Sequence, residues 1–369
     1  MSEARNMGGA PKLTAVVCTL NRADLLGQML GSLCEQTLEP SWFEVVVVDD
    51  GSEDHSREVV RAFETRLPLR YSYQRNAGLA SARNHGIFLS RGELLLFLDD
   101  DDVADPGLLE AHVVAHRTHP SSSIGILGHT RLAPALVADP LMHFVTEVGC
   151  FLFSYGTLEA GALLDFGHFW GGRSSCKRSF LIDNGVFNPI FRFGCEDIEL
   201  AFRLSRYGFK VVYEPRAVLA MVRGVGFDDF CRRLWRQGQS NLVFSRIHDS
   251  PEVRRWTEVR EAAEGWSRFG AAYDVVMHSA RELDRIVRKR MDAELAIPPE
   301  ERALLHRAYW AAFRASKFKG IVEKAREMGE AVGLEGSTAH RVGEGTVPAT
   351  SDAAPRKDGA LGLALRSGR

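Results

Sequence analysis

Four consecutive carboxylates, Asp99-Asp100-Asp101-Asp102, follow directly on the apolar run Leu94–Leu98. Acids this close raise one another's proton affinity, so the row costs free energy unless a cation sits among them. Oxygen-only ligands select hard divalent ions, Mg2+, Mn2+ or Ca2+. A solvated acidic loop ahead of a helix starting near Pro106 would use the same residues, because acids complement a helix N-terminus. Two further polar clusters close apolar runs: Cys18-Thr19-Leu20-Asn21-Arg22 and Asp49-Asp50-Gly51-Ser52. Alone, the second is ordinary turn and capping chemistry. Together with the acidic row it could bracket a nucleotide, Asp50 accepting an N–H of the base while the row reaches the diphosphate through an ion. A third acidic feature, Gly194-Cys195-Glu196-Asp197, precedes an amphipathic pattern. Taken alone it suits a helix start, where acids complement the dipole.

Such residues converge only if the intervening elements bring them to one edge. Leu13–Thr19, Phe43–Val48, Leu69–Gln74 and Glu93–Leu98 read as strands, the second carrying four consecutive valines as a strand covered on both faces would. Helical patterns over Asp24–Gln36, Glu53–Arg66, Leu79–Ser90 and Pro106–His119 alternate with them, and Ser122–Leu127 reads as one more strand. This alternation predicts βαβ units and a mainly parallel sheet, whose ligands bind beyond the carboxyl ends of the strands. Arg131–His168 loses the pattern and reads as an excursion over the sheet. Gly171–Lys177 is strand-like, Arg178–Asn184 and Asp197–Tyr207 are helical, and Phe209–Tyr213 is a strand that Pro215 should stop. Helices follow over Phe227–Ile247, Val253–Arg268, Ala271–Leu295 and Pro299–Val332. The expected organisation is a flexible N-terminus (1–11), a catalytic domain (12–222), a helical C-terminal region (223–332) and a disordered tail (333–369).

Composition narrows the class. The chain has 369 residues with Lys plus Arg 46 against Asp plus Glu 48, a formal charge of −2, and is 45% hydrophobic. It is too apolar and too evenly charged to be disordered throughout, and not basic enough for nucleic acid to be its main partner. Its apolar runs fall far short of the roughly 20 residues of a membrane-spanning helix. Residues 1–11 lack the apolar core of a signal peptide, and six scattered cysteines without a CxxC pair suit reduced thiols. A cytoplasmic location is expected, with peripheral contact at the inner face of the membrane an option.

In order along the chain, Val16-Val17-Cys18-Thr19-Leu20-Asn21-Arg22, Val46-Val47-Val48-Asp49-Asp50-Gly51-Ser52, Asn76-Ala77-Gly78-Leu79-Ala80-Ser81-Ala82-Arg83-Asn84 and Phe97-Leu98-Asp99-Asp100-Asp101-Asp102 resemble the signature set of family 2 glycosyltransferases. Glu196-Asp197 with Glu199 and Arg203 resembles that family's later Glu-Asp motif. The resemblance covers about Lys12 to Ala220. It implies a GT-A fold, a Rossmann-like, mainly parallel mixed sheet flanked by helices, and inverting transfer of a sugar from a nucleoside-diphosphate sugar to a hydroxyl acceptor. It places Thr19, Asn21, Arg22, Asp50, Gly51, Asn76, Gly78, Arg83, Asp99 and Asp100 around the donor. Asp101, with Asp99, takes the metal-ligand slot for Mn2+ or Mg2+. Asp197 is the implied general base, and Glu196 contacts the acceptor. UDP is the foremost donor nucleotide, with dTDP and GDP as alternatives. Leu20 stands where many members carry an aromatic residue, and Met221 falls near the slot of a histidine ligand; a thioether is a poor partner for a hard cation.

The acceptor is less legible. Trp170, in His168-Phe169-Trp170-Gly171-Gly172-Arg173, offers a platform for a sugar ring or packs beneath the excursion. Arg232, Arg233, Trp235 and Arg236 form a basic stripe on a helix, suited to an acidic lipid, a lipid diphosphate or simply water. The C-terminal helices would equally suit self-association into a homo-oligomer. Two other functions use a similar sheet: a nucleotidyltransferase making nucleotide-sugars, and a non-catalytic nucleotide- or glycan-binding scaffold. The first should carry a Gly-rich basic loop after strand one, which Thr19–Asp24 is not. The second has no need of two complete acidic motifs.

Overall fold

The computed structural model describes residues 10–329; most of the expected N-terminal segment 1–11 and all of the tail 333–369 lie outside the described residues. Strands β1 (Leu13–Thr19), β2 (Phe43–Asp49), β3 (Leu69–Tyr73) and β4 (Leu94–Asp99) alternate with helices α1 (Ala23–Leu33), α2 (Ser56–Phe63) and α3 (Leu79–Leu89). All four strands run parallel, in the order β3-β2-β1-β4. The two-residue period of a strand divides their side chains. Leu13, Ala15, Val17, Val45, Val47, Leu96 and Leu98 pack on Leu26, Met29 and Leu30 of α1. On the opposite face Val46 and Val48 pack on Ala82, and Val16, Leu95 and Phe97 join a cluster with Ala80 and Ile87, so α3 covers that side. Every residue of β2 is buried, as its valine run predicts.

Beyond β4 come β5 (Asp102–Ala104), α4 (Leu108–Thr118), β6 (Ile124–Leu132), the short helices α5 (Pro134–Val137) and α6 (Pro140–His143), β7 (Leu163–Leu164) and β8 (Ser174–Lys177). These are followed by α7 (Arg178–Asn184), α8 (Glu196–Ser205) and β9 (Lys210–Met221). They extend one sheet as β4-β8-β6-β9-β5, with β7 on β9. β8 is antiparallel to both β4 and β6, and β5 and β7 are antiparallel to β9. The sheet is therefore mixed, with its parallel strands concentrated in the first half.

Four expectations need correction. β9 does not stop at Pro215 but continues to Met221: the register slips so that Tyr213 pairs with Leu127 and Val218 with His129, and Pro215 sits in the unpaired stretch where no ladder N–H is required. Asp102 is not loop but the first residue of β5, paired with Met221. The helix expected over Val253–Arg268 is two, α10 (Pro251–Thr257) and α11 (Val259–Phe269), separated by Glu258 at φ 53°. There the buried Asn241 donates its Nδ2 to the Thr257 carbonyl (3.0 Å), which the helix would otherwise have used. Finally, the excursion after Arg131 does not simply lie over the sheet. Leu141, Phe144 and Val145 pack instead with Phe230, Met277, Tyr309 and Phe313 of the helices α9 (Phe227–Ile247), α12 (Tyr273–Asp292) and α13 (Pro299–Glu327). No helix among the described residues is long and apolar enough to cross a membrane, and all six cysteines are free.

Candidate active site

The tips of β1 and β4 and the start of β5 meet at the acidic row. Ending β4 at Asp99 and beginning β5 at Asp102 aims successive carboxylates in different directions, and each meets a guanidinium brought from far along the chain. Asp99 accepts from Arg83 Nη2 (3.3 Å) and Arg173 Nη2 (3.0 Å). Asp100 accepts from Thr19 Oγ1 (2.8 Å) and Arg22 Nη1 (2.7 Å). Asp101 Oδ2 accepts from Arg22 (3.2 Å) and Arg223 (3.3 Å). Asp102 has Arg173 at 3.7 Å and no hydrogen bond on Oδ2. The repulsion inferred from the sequence is thus relieved by arginines of the chain itself.

Burial sets the protonation of this row. It pushes the Asp100 pKa up to about 6 despite the opposing pull of Arg22. Asp102, more enclosed still, is raised well above the ordinary carboxylate range, against Arg173. Both oxygens of Asp99 and of Asp100 are engaged, whereas both contacts to Asp101 fall on Oδ2. Asp101 therefore has Oδ1 to offer a ligand. No three His, Cys, Asp or Glu side chains among the described residues are grouped to hold an ion unaided. One carboxylate oxygen fits a dication that draws its remaining ligands from substrate phosphates and water, a common arrangement for Mg2+. Met221 turns away from this point into a cluster with Met142 and Phe153, and the residue that reaches Asp101 from the end of β9 is Arg223.

The Glu-Asp motif opens α8 across from the row. Cys195 at φ 67° precedes it, so the chain enters the helix from a left-handed turn with Glu196, Asp197 and Glu199 in the first turn. Arg83, on α3, links the two acidic groups: Nη1 donates to Glu196 Oε1 (2.8 Å) while Nη2 reaches Asp99. Glu196 Oε2 is buried without a partner. Burial, then the charge of Asp197, push the Glu196 pKa up to about 7 against the attraction of Arg83. Asp197 accepts from the backbone N–H groups of Gly171 (2.7 Å) and Ile198 (2.8 Å), which fix its carboxylate.

The other expected donor residues are placed less directly. Asp50 lies at the tip of β2 and accepts from Gln74 Nε2 (2.7 Å) and the N–H groups of Ala77 (2.8 Å) and Gly78 (2.9 Å), so it shapes the loop before α3. Asn21 ties two loops together, donating its N–H to Ser52 Oγ (2.8 Å) and accepting from Glu53 N–H (2.8 Å). Gly51 turns at φ 98° against Asn76, whose Oδ1 accepts from Arg192 (3.0 Å). Trp170 is partly buried among Phe153, Tyr155 and His168 and donates Nε1 to Gly167 O, which makes it part of an aromatic layer.

The reading of the sequence named Gly171-Gly172-Arg173 only beside Trp170 and missed their place against the acidic row. Two adjacent glycines before an arginine at a strand start signal close backbone approach. Here a Cβ on Gly172, at φ 102°, would lie 2.1 Å from Asp99 Oδ2, and one on Gly171 would lie 2.3 Å from Arg83 Nη1. Gly172→Ala should therefore displace Asp99 and lower the unfolding free energy by about 2 kcal/mol, measurable by chemical denaturation.

Residues 14–133 match the family model described as glycosyl transferase family 2. That domain belongs to the family 2 glycosyltransferases, and the fold is GT-A. The validoxylamine A glucosyltransferase of Streptomyces hygroscopicus subsp. limoneus is 35% identical over 221 residues, covering 54% of this chain and 49% of that protein. This chain spans about half the length of the curated relatives it matches. Among solved structures, a mannosyltransferase of Pyrobaculum calidifontis in complex with GDP-Man and Mn2+ superposes with a TM-score of 0.57 at 20% identity, over 88% of this chain and 90% of that one. Residues 1–349 of S. aureus TarS give 0.50 at 19% identity, over 86% and 92%.

Proposed function

We propose that this chain transfers a sugar from a nucleoside-diphosphate sugar to a hydroxyl acceptor by one in-line displacement that inverts the anomeric centre. The observation that supports it best is the chain of contacts Asp99–Arg83–Glu196, which ties the acidic row to the Glu-Asp motif within one cleft. In this reading Asp50 offers Oδ2, which accepts only one hydrogen bond here, to an N–H of the base. Thr19 and Arg22 hold Asp100 and Asp101 at the phosphate end. Asp197, fixed by two backbone donors, takes the proton of the attacking hydroxyl. Asp101, with Asp99 beside it, would hold Mn2+ or Mg2+, and a bound dication supplies Lewis-acid stabilisation of the departing diphosphate. Transfer of the sugar in this way, with the nucleoside diphosphate as leaving group, is the activity proposed for the whole chain; UDP heads the donor nucleotides, followed by dTDP and GDP.

A thermal-shift screen of UDP-, dTDP- and GDP-sugars with and without Mn2+ tests this. A ligand at about 100 times its Kd stabilises the folded state by about 2.7 kcal/mol. At least one donor should raise the midpoint, further with Mn2+, and Asp101→Ala should lose the Mn2+ increment alone. A screen in which no nucleotide raised the midpoint would sink the proposal.

A further inference from the structure

Among the described residues five guanidiniums interact with the charges of the acidic row, and four of them are spoken for. Arg22, Arg83, Arg173 and Arg223 each pair with a member of the acidic row. The fifth is Arg233 on α9, which makes no ion pair among the described residues and rests against Phe193 with its Cζ 5.5 Å from the ring centroid. Arg236, one turn on, lies at 4.1 Å over the same ring.

The placement is built by the helix. Ser240 Oγ donates to the Phe193 carbonyl (2.6 Å), and Asn241 Oδ1 accepts from Cys195 Sγ (3.1 Å). Residues 233, 236, 240 and 241 share one helical face, so the face that clamps the turn ahead of Glu196 also carries Arg233 toward the cleft. The basic stripe expected from the sequence is thus divided. Arg232 turns away to pair with Asp229 (2.7 Å), and Trp235 donates to Glu323 on α13 (2.7 Å). Arg233 is open to water yet crowded by protein on its sides, as a residue lining a cleft must be. That crowding lowers its pKa from the ordinary guanidinium value, while Asp99, Asp101 and Glu196 attract the charge and Arg173 repels it.

A guanidinium braced on an aromatic ring, desolvated along its stem and left without a carboxylate is poised for an anion, and its planar fork matches phosphoryl oxygens. Building on the nucleotide-sugar reading above, we infer that Arg233 binds a phosphoryl group in this cleft, through which the C-terminal helices take part in substrate recognition. The group comes either from the donor diphosphate or from a phosphate carried by the acceptor.

Calorimetric titration in EDTA separates the sources. Wild type, Arg233→Ala and Arg233→Lys are titrated with UDP, dTDP and GDP and with the matching nucleosides, and the nucleotide-saturated proteins with inorganic phosphate and pyrophosphate. If Arg233 holds the donor, Arg233→Ala weakens the nucleoside diphosphate at least about tenfold and leaves the nucleoside unchanged. If it holds the acceptor, nucleotide binding is retained and binding of phosphate or pyrophosphate to the saturated protein is lost. Arg233→Lys, which keeps the charge without the fork, should fall between and guards against a folding defect in the alanine variant. Arg232→Ala, the same change in net charge one residue away, should behave as wild type. Equal affinities of wild type and Arg233→Ala on every arm overturn the inference. A wild type that binds no nucleotide, neither in EDTA nor with Mn2+, fails the transferase reading instead.

Discussion

Asp197→Asn should lower sugar transfer by about 10²- to 10⁴-fold while leaving nucleoside-diphosphate affinity near that of wild type. The size follows from what the substitution removes. An acceptor hydroxyl is a poor nucleophile until its proton has somewhere to go, and an amide cannot take it. The retained affinity follows from position: Asp197 accepts its hydrogen bonds from the backbone of Gly171 and Ile198, outside the Thr19–Arg22–Asp100–Asp101 network assigned to the phosphates. An asparagine can keep one of the two backbone bonds through its carbonyl, but its NH2 then faces the other N–H, at a cost of about 1–3 kcal/mol. The variant should thus melt earlier than wild type, still gain stability from nucleotide, and fail at turnover. Single-turnover transfer and nucleotide titration on one preparation check both halves. Undiminished transfer would move the base to Glu196, whose Oε2 is unpartnered.

The strand tips could be read from the sequence because each depends on local pattern. The valine run of β2, the apolar stretch before Asp99 and the acidic start of α8 each carry period and punctuation within a dozen residues. What the sequence hid is how charge is balanced. Four adjacent acids argue for a cation, and the inference was sound as electrostatics; but Arg22, Arg173 and Arg223 lie 70 or more positions from the acids they neutralise, and no spacing rule joins them. The same limit explains β9. Proline normally ends a strand, and only the slipped pairing with β6 makes room for Pro215. Arg232, Arg233 and Arg236 looked like one basic stripe because composition does not tell which side of α9 meets Phe193 and which meets solvent.

Removal of Arg83 should give the largest loss of stability, and the loss should depend on pH. Its guanidinium is almost fully buried, as is the Glu196 carboxylate it faces at 2.8 Å. Breaking a buried pair by deleting one partner typically costs about 3–5 kcal/mol, because the other charge stays behind without compensation. Glu196 can escape part of that cost by taking a proton. Burial and Asp197 already hold its pKa at about 7 with Arg83 present, and Arg83→Met removes the one strong influence pulling it down. In the variant the folded state therefore keeps its proton to higher pH than the unfolded chain, in which the group titrates near 4.5. The folded state then binds more protons, so stability falls as pH rises from about 4.5 through the folded pKa, by about 1.4 kcal/mol per pH unit. Both proteins should lose stability in parallel from about pH 5 to pH 7, where folded Glu196 holds its proton in each. The Arg83→Met curve should fall away from wild type above about pH 7, where only the variant still keeps that proton. Adding Glu196→Gln removes the titrating group, so the double variant should lose the slope. If Arg83→Met were destabilised equally at pH 5 and pH 8, lost packing against Phe187, which Arg83 overlies at 5.5 Å, would account for its role instead.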